Sequence, residues 1–144
     1  MARNSLIYKA TIGRDKGKEF CITEMAARPA HKWAMRAIFA VMNAGLEVPE
    51  EYAESGFAGL AALVGSGDKE LLVMFLRTLG KVDVTIAEPL LDELLTCVEV
   101  VPDPAKPNVR RKLFDEDVEE VGTYFALQKE ALMVHMAFFS GGAR

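Results

Sequence analysis

The sequence has few cysteines and histidines, the residues that form most zinc sites and all disulfide frameworks. Its 144 residues include two cysteines and two histidines, and the motifs HExxH and CxxC do not occur. A zinc site needs about four such ligands at close spacing, and a disulfide framework needs several cysteine pairs. We therefore expect no metal and no other cofactor. Cys97 lies within an apolar stripe and is interpreted as a small buried hydrophobic residue.

Long apolar runs are also missing. No run of about 18 apolar residues is present, so we expect no transmembrane helix and no membrane partner. The start of the chain, MARNSLIYKATIGRDKG, lacks the apolar core and the cleavage site of a secretory signal peptide. Together with the low cysteine content, these features favour the reducing cytoplasm as the compartment.

Charge and motif content argue against two further classes. The formal net charge is −4, whereas nucleic-acid-binding modules normally carry a basic patch, so no nucleic-acid partner is expected. The stretch GRDKGKEF is one residue short of the spacing of a phosphate-binding loop and is interpreted as a solvated hairpin turn. Neither a nucleophile motif nor a facing pair of carboxylates is present. We therefore predict a non-enzymatic protein without catalytic residues.

Hydrophobic periodicity predicts a mainly α fold of four to five helices, with a small N-terminal β-hairpin as its minor β component. Residues 5–23 contain two alternating segments around a Gly-bounded polar turn, which is typical of a hairpin. A helical body at 29–139 and a flexible tail at 140–144 are expected to follow, within a single domain over 1–144. Alternation also permits a second pair of short strands around the Pro-rich loop, at residues 97–101 and 109–113.

Start and stop signals place the individual helices. The first helix is expected within residues 26–45, where Gly45 suits the left-handed position that follows a helix. A capping box that begins at Thr85 is predicted to start a later helix, and Asp115 is predicted to cap the last one. Two further helical segments are expected in SGFAGLAALVGSG and DKELLVMFLRTLG.

The last helix loses its polar face towards its end. Thr123 and Glu130 mark that face, which then continues as Met133 and Ala137. A helix that is apolar all round is buried, so this end either packs inside its own domain or binds a partner or a second copy. Two neighbouring apolar stripes are expected on this helix, one along Val118, Val121, Phe125, Leu132, Met136 and Phe139 and the other along Tyr124, Leu127, Ala131, Val134 and Phe138.

Trp33 and Arg36 on the first helix allow the same two interpretations. The tryptophan either anchors the hairpin onto this helix or joins the arginine in an interface, because both residue types are favoured at binding hot spots. His135 is interpreted as a surface or interface residue. The candidate partner-binding residues are Leu132, Met133, Met136, Phe138, Phe139, Trp33 and Arg36.

Four blocks of the sequence occur in an order that resembles one known family. The blocks are GRDKGKEFCITEMAARPAHKWAMRAIFAVMNAG, AGLAALVG, EPLLDELLTCVEVVPDP and DVEEVGTYFALQKEALMVHMAFF. Together they resemble the tail assembly chaperones of tailed bacteriophages and prophages, over roughly residues 6–139. The resemblance implies a small, mostly helical protein of the bacterial host cytoplasm that is absent from the mature virion. It also implies that no catalytic residues are carried over.

The resemblance further implies the partners. A chaperone of this family binds the tape measure protein, keeps it soluble and helps to recruit tail tube subunits around it. Such a client is long, apolar and helical, so the apolar end of the last helix is a candidate binding surface. Homo-oligomers are also compatible with the resemblance, whereas the sequence leaves open the phage type and a longer, frameshifted form.

Two other function classes remain open. The chain could be a structural virion subunit, such as a minor tail or head–tail connector protein, since these proteins also combine hairpins with helices. A small-molecule-binding domain or enzyme would need a pocket with convergent titratable groups, and the sequence shows no such set. Presence in purified virions would distinguish the structural subunit from the chaperone.

Overall fold

The computed structural model describes residues 3–45, 73, 77–78 and 80–139, with side chains described as far as His135. This part of the chain contains three α-helices and one four-stranded antiparallel sheet in the order β1-β2-β3-β4. The helices are α1 (Ala27–Asn43), α2 (Val84–Leu95) and α3 (Val121–Phe139), and the strands are β1 (Ser5–Lys9), β2 (Glu19–Thr23), β3 (Val98–Val101) and β4 (Arg111–Lys112).

The described architecture is α+β, so the expectation of a mainly α fold with four to five helices is wrong. The reason is that the segments on either side of the Pro-rich loop pair with the hairpin and with each other. These strands interrupt the helical body expected at 29–139. The helical segments expected in SGFAGLAALVGSG and DKELLVMFLRTLG lie almost entirely outside the described residues, as does the tail expected at 140–144.

The N-terminal hairpin is confirmed. Strands β1 and β2 pair in register from Ser5 opposite Thr23 to Lys9 opposite Glu19. Beyond this ladder the Ala10 amide donates to the Lys18 carbonyl at 2.8 Å, which closes the base of the turn. A short 3-10 helix, Gly13–Asp15, occupies the turn itself.

The second strand pair, given above as an alternative, is also confirmed. Strand β3 pairs with β2, and the buried Phe20 and Ile22 lie opposite Val100 and Val98. β-Branched and aromatic cross-strand pairs of this kind stabilise antiparallel sheets. The three prolines of the loop fall between β3 and β4, where they remove no ladder hydrogen bond.

Cys97, at the entrance to β3, is buried, as the sequence predicts. Burial raises the pKa of its thiol to about 11. A buried thiol with such a pKa is a weak nucleophile at neutral pH, because the thiolate is the reactive form.

Helix α1 agrees with its prediction, and Gly45 after its end has the positive φ of +102° that a left-handed position requires. The indole N–H of Trp33 donates to the Leu90 carbonyl of α2 at 2.9 Å. The same ring packs against a cluster formed by Ala37, Ala40 and Leu90. Trp33 therefore anchors α1 to α2.

Helix α2 begins at Val84, so the capping box predicted at Thr85 is wrong. Asp83 acts as the cap instead, because its carboxylate accepts the Thr85 amide at 2.8 Å and the Thr85 hydroxyl at 2.6 Å. These hydrogen bonds hold the pKa of Asp83 below its usual value. The sequence carries both signals within three residues, and the aspartate is the stronger cap.

Backbone contacts divide the chain into two compact units. The first, here called the sheet unit, comprises Met1–Ala26 and Leu91–His135, and the second comprises Ala27–Leu90 and Met136–Arg144. Within the described residues, no helix is long and apolar enough to cross a membrane.

Candidate functional site

The start of α3 differs from its prediction. Asp115 begins a short 3-10 helix, Asp115–Asp117, and α3 starts only at Val121. The Asp117 carboxylate turns back to accept the Phe114 amide at 2.7 Å and a hydrogen bond from Arg111 at 2.8 Å. Asp115, which the sequence analysis predicted to cap the last helix, is therefore part of this local turn instead.

The cap of α3 comes from the distant hairpin turn. The carboxylate of Asp15 accepts the backbone amides of Glu119 and Glu120, each at 2.9 Å, and the Thr123 hydroxyl at 2.7 Å. A carboxylate is favoured here because the first amides of a helix lack partners and its N-terminus is partly positive. Asp15 is fully buried, so the expectation of a solvated turn is wrong for this residue.

Two basic residues of the same turn complete the contact. The Lys18 ammonium group donates to the Asp15 carboxylate at 2.9 Å and to the Glu119 carboxylate at 3.2 Å. The Arg14 guanidinium donates to the Glu120 carboxylate at 2.9 Å. We call this set, Arg14, Asp15 and Lys18 with Glu119, Glu120 and Thr123, the turn–helix junction.

The junction keeps Asp15 ionised. Burial by itself would raise the pKa of this carboxyl group. Hydrogen bonds from Lys18, from Thr123 and from two backbone amides outweigh it and hold the pKa far below its usual range. In return, the hydrogen bond to Asp15 raises the pKa of the Lys18 ammonium group, so both charges persist at neutral pH.

The junction also decides which face of α3 is exposed. Thr123, expected on the polar face, points inward because its hydroxyl bonds to Asp15, and it is fully buried. Residues that follow it at helical spacing, Leu127, Ala131 and Val134, are buried with it. The first of the two expected stripes is only partly buried, because Val118 and Leu132 are buried whereas Val121 is 72% exposed and Phe125 is 66% exposed.

The outward face of α3 carries an apolar row. Val121 and Phe125 are four residues apart, and Met133, 39% exposed, lies two turns further on. The part-exposed Ile12 extends the row, because a Cβ at Gly122 would lie 3.0 Å from its Cδ1 atom. We call these four residues, Ile12, Val121, Phe125 and Met133, the α3 ridge. The exposed Lys129 lies between Phe125 and Met133 on this helix. The ridge is a candidate interaction site because exposed apolar patches mark such sites.

The structure separates the candidate partner-binding residues proposed from sequence. Met133 lies on the α3 ridge, whereas its neighbour Leu132 is buried. Trp33 and Arg36 lie on α1, in the other unit, where Arg36 is exposed. The side chains of Met136, Phe138 and Phe139 lie outside what the structure describes.

His135 is not the surface residue that the sequence analysis expected. It is buried, its Nε2 atom accepts the Met25 amide at 2.9 Å, and its Nδ1 atom lies 2.7 Å from the Ala131 carbonyl. Both contacts are satisfied together only if Nδ1 carries the proton and the ring is neutral. His135 therefore joins α3 to the segment that follows β2.

A groove of about 540 Å³ lies elsewhere on the sheet unit. It is bordered by the end of α2, by β3, by the segment from Lys112 to Asp115 and by Tyr124 of α3. We call it the α2–β4 groove. Its apolar walls include Phe114 and Tyr124, and its polar rim includes three acidic residues, Asp92, Glu99 and Asp115, against one basic residue, Lys112.

Sequence reasoning missed Asp15, Thr123 and the groove. No local pattern pairs residues 108 positions apart, and the groove is formed by four segments that become neighbours only in the folded sheet unit. The described residues contain no cluster of three or more metal-ligating side chains. A scan against protein-family models and searches of curated proteins and of solved structures gave no match to this chain.

Proposed function

We propose that this chain is a non-enzymatic tail assembly chaperone. In this role it binds the tape measure protein in the bacterial cytoplasm, keeps it soluble and helps to recruit tail tube subunits, without remaining in the mature virion. The observation that supports the proposal most directly is the α3 ridge. A chaperone for a long apolar helix needs an exposed apolar surface of its own, and the ridge is such a surface.

The geometry of the ridge suits a helical client. Val121 and Phe125 lie one turn apart on the same face, so their side chains form a raised row along α3. A row of this kind fits between the side chains of a second amphipathic helix, as in helix-in-groove recognition. Met133 adds an unbranched side chain, which adapts to clients with irregular surfaces.

The junction prepares the ridge for binding. Because Asp15 and Thr123 fix the first turn of α3, Val121 and Phe125 are directed outward before any client is present. Surfaces that are already ordered lose less conformational entropy on binding. Met136, Phe138 and Phe139, which were assigned to the client from sequence, stay candidates for client binding.

Co-expression with the tape measure protein encoded beside this chain tests the proposal. Wild-type chain should keep the client soluble and co-elute with it, and the double variant Val121→Ser/Phe125→Ser should not. The matched control is Val84→Ser/Ile86→Ser, which removes two exposed apolar side chains from the first turn of α2. Both variants should unfold at temperatures near that of the wild type, because the four side chains are exposed.

Two results would oppose the chaperone function. One is failure of the wild-type chain to bind or solubilise the client. The other is detection of the chain in purified virions, which would favour the alternative of a structural minor tail or head–tail connector protein. If the α2 control lost client binding as strongly as the α3 variant, the proposed function would still hold, but the ridge would not be its binding site.

A further inference from the structure

The α2–β4 groove combines an apolar interior with an acidic rim. Leu95, Val98 and Leu113 contribute aliphatic surface, and Phe114 and Tyr124 contribute aromatic surface. A cavity of about 540 Å³ lies within the size range of sites that hold a ligand or several side chains. Phe114 is 52% exposed, which leaves its ring accessible to a partner.

The charge on the rim is not neutralised within the described residues. Asp92 and Asp115 form no ion pair there, and the contact between Glu99 and Arg110 is long, at 3.9 Å. Three other acidic residues of the sheet unit are paired with basic side chains: Asp117 with Arg111, Glu119 with Lys18, and Glu120 with Arg14. The rim therefore carries acidic groups that are available to a cation.

The pKa of Tyr124, which lines the groove, is consistent with a negative potential there. Its pKa is raised, first by burial and then by the charges of Asp115 and Asp117. The Phe114 ring also accepts a cation, because the Arg111 guanidinium lies 5.7 Å from the ring centre.

We propose that the α2–β4 groove binds an apolar protein segment that carries Lys or Arg beside its apolar side chains. The apolar side chains contact Phe114 and Tyr124, and the cation pairs with Asp92 and Asp115. This inference rests on the proposed function, because it specifies which segments of a client the chaperone selects. A polypeptide is favoured over a free small cation, because only a segment with apolar side chains next to its charge fills both parts of the groove.

The position of the groove agrees with a polypeptide. The groove is bordered by Lys112 of β4, and β4 is an edge strand of the sheet. An edge strand has backbone groups that do not pair within its own sheet, so a bound segment can extend along it.

Peptide binding to the purified full chain tests the inference. Three fluorescent peptides would share their apolar positions and differ only in having Lys, Gln or Glu between them. The Lys peptide should bind with a Kd about tenfold lower than the Glu peptide, as expected from one or two partly exposed ion pairs. The difference should shrink as salt is added.

Matched variants test whether the preference for the Lys peptide over the Glu peptide arises in the groove. Asp92→Asn/Asp115→Asn should abolish the difference between the Lys and Glu peptides while binding of the Gln peptide changes little. Phe114→Ala should weaken binding of all three peptides. The control Asp103→Asn/Glu130→Gln makes the same change in net charge at two positions that do not line the groove and should retain the preference.

Three outcomes would overturn the inference. The Lys and Glu peptides could bind equally, or the control double variant could lose the preference as fully as the groove variant. Sedimentation velocity could also show that the groove variants change self-association, in which case the occupant is a second copy. None of these outcomes contradicts the chaperone function if the tape measure protein still co-elutes with the wild-type chain. If the chain preferred the Lys peptide but did not bind the tape measure protein, the groove inference would be supported and the chaperone function would be contradicted.

Discussion

The buried carboxylate of Asp15 accepts the hydroxyl hydrogen bond of Thr123 at 2.7 Å, across 108 positions of sequence. This contact joins the hairpin turn to the first turn of α3. Because Thr123 is drawn inward, Val121 and Phe125 of the same helix are turned outward. One capping interaction thus supports the helix and orients the surface proposed to bind the client.

Replacement of Asp15 by Asn should destabilise the protein by about 3 kcal/mol, as expected when one partner of a buried charged network is removed. The amide group of Asn places N–H donors against backbone donors that Asp15 now satisfies. Urea unfolding followed by circular dichroism would measure the change in the free energy of unfolding.

The control for this experiment is Asp103→Asn. Asp103 is exposed, and its carboxylate accepts the Ala105 amide at 3.0 Å, a bond that the Asn carbonyl oxygen can replace. It should change stability by less than about 0.5 kcal/mol, as surface substitutions usually do. Equal effects of the two substitutions would show that Asp15 contributes no more than a surface carboxylate.

The same carboxylate predicts how stability depends on pH. The pKa of Asp15 in the folded protein is lowered from its usual value of 3.8, so in acid the unfolded chain binds the proton first. The stabilisation by Asp15 is therefore complete above pH 3.8 and is lost as the pH falls below it.

The difference in unfolding free energy between wild type and Asp15→Asn should consequently be constant near neutral pH. Below pH 3.8 it should narrow by up to about 1.4 kcal/mol per pH unit. Unfolding curves at a series of pH values would measure it, and two parallel profiles would contradict the prediction. The pKa values of Asp117 and Glu120 are also lowered, so these residues make stability depend on pH as well. Because both proteins contain them, taking the difference between wild type and variant isolates the contribution of Asp15.

His135 provides a second buried contact that can be tested. In His135→Ala the Met25 amide loses its acceptor and a cavity is left, so stability should fall by about 2–4 kcal/mol. The matched control His31→Ala alters an exposed histidine of α1 and should have an effect below about 0.5 kcal/mol. Thermal unfolding monitored by calorimetry would rank the two variants. Similar midpoints would show that the buried contacts of His135 contribute no more to stability than an exposed histidine does.

The sequence predicted local structure more accurately than long-range contacts. The hairpin over 5–23, α1 with Gly45 after its end, and the second strand pair all follow from alternation, helical spacing or turn residues close together in the chain. The fold class was wrong because the two strands around the Pro-rich loop are short and were given less weight than the helical pattern.

The candidate site could be predicted only in part. The sequence placed Val121 and Phe125 on one of two neighbouring apolar stripes, but it did not show which stripe faces the core, because an apolar stripe has no marker for its direction. That direction is set by Thr123, whose partner Asp15 lies in a turn that is polar by sequence. A buried carboxylate with several hydrogen-bond donors cannot be distinguished from a solvated one by its position in a turn.

Leu132 and Met133 are adjacent, yet substitution by Asp should lower the stability of the fold at Leu132 and leave it nearly unchanged at Met133. Leu132 is 8% exposed and Met133 is 39% exposed. Leu132→Asp buries a charge without a partner and should destabilise the fold by several kcal/mol, about 3 or more. Met133→Asp places the charge on the α3 ridge and should leave the unfolding temperature close to that of the wild type.

Client binding tests the role of Met133 separately from stability. Folded Met133→Asp should retain its circular dichroism spectrum but recover less tape measure protein in co-elution, because a charge on the ridge must be desolvated to meet an apolar client. Met133→Leu, which keeps the apolar surface, should bind as the wild type does. If Met133→Asp bound the client fully while remaining folded, Met133 would lie outside the client interface, and binding would have to be assigned to Val121 and Phe125 alone or to another face.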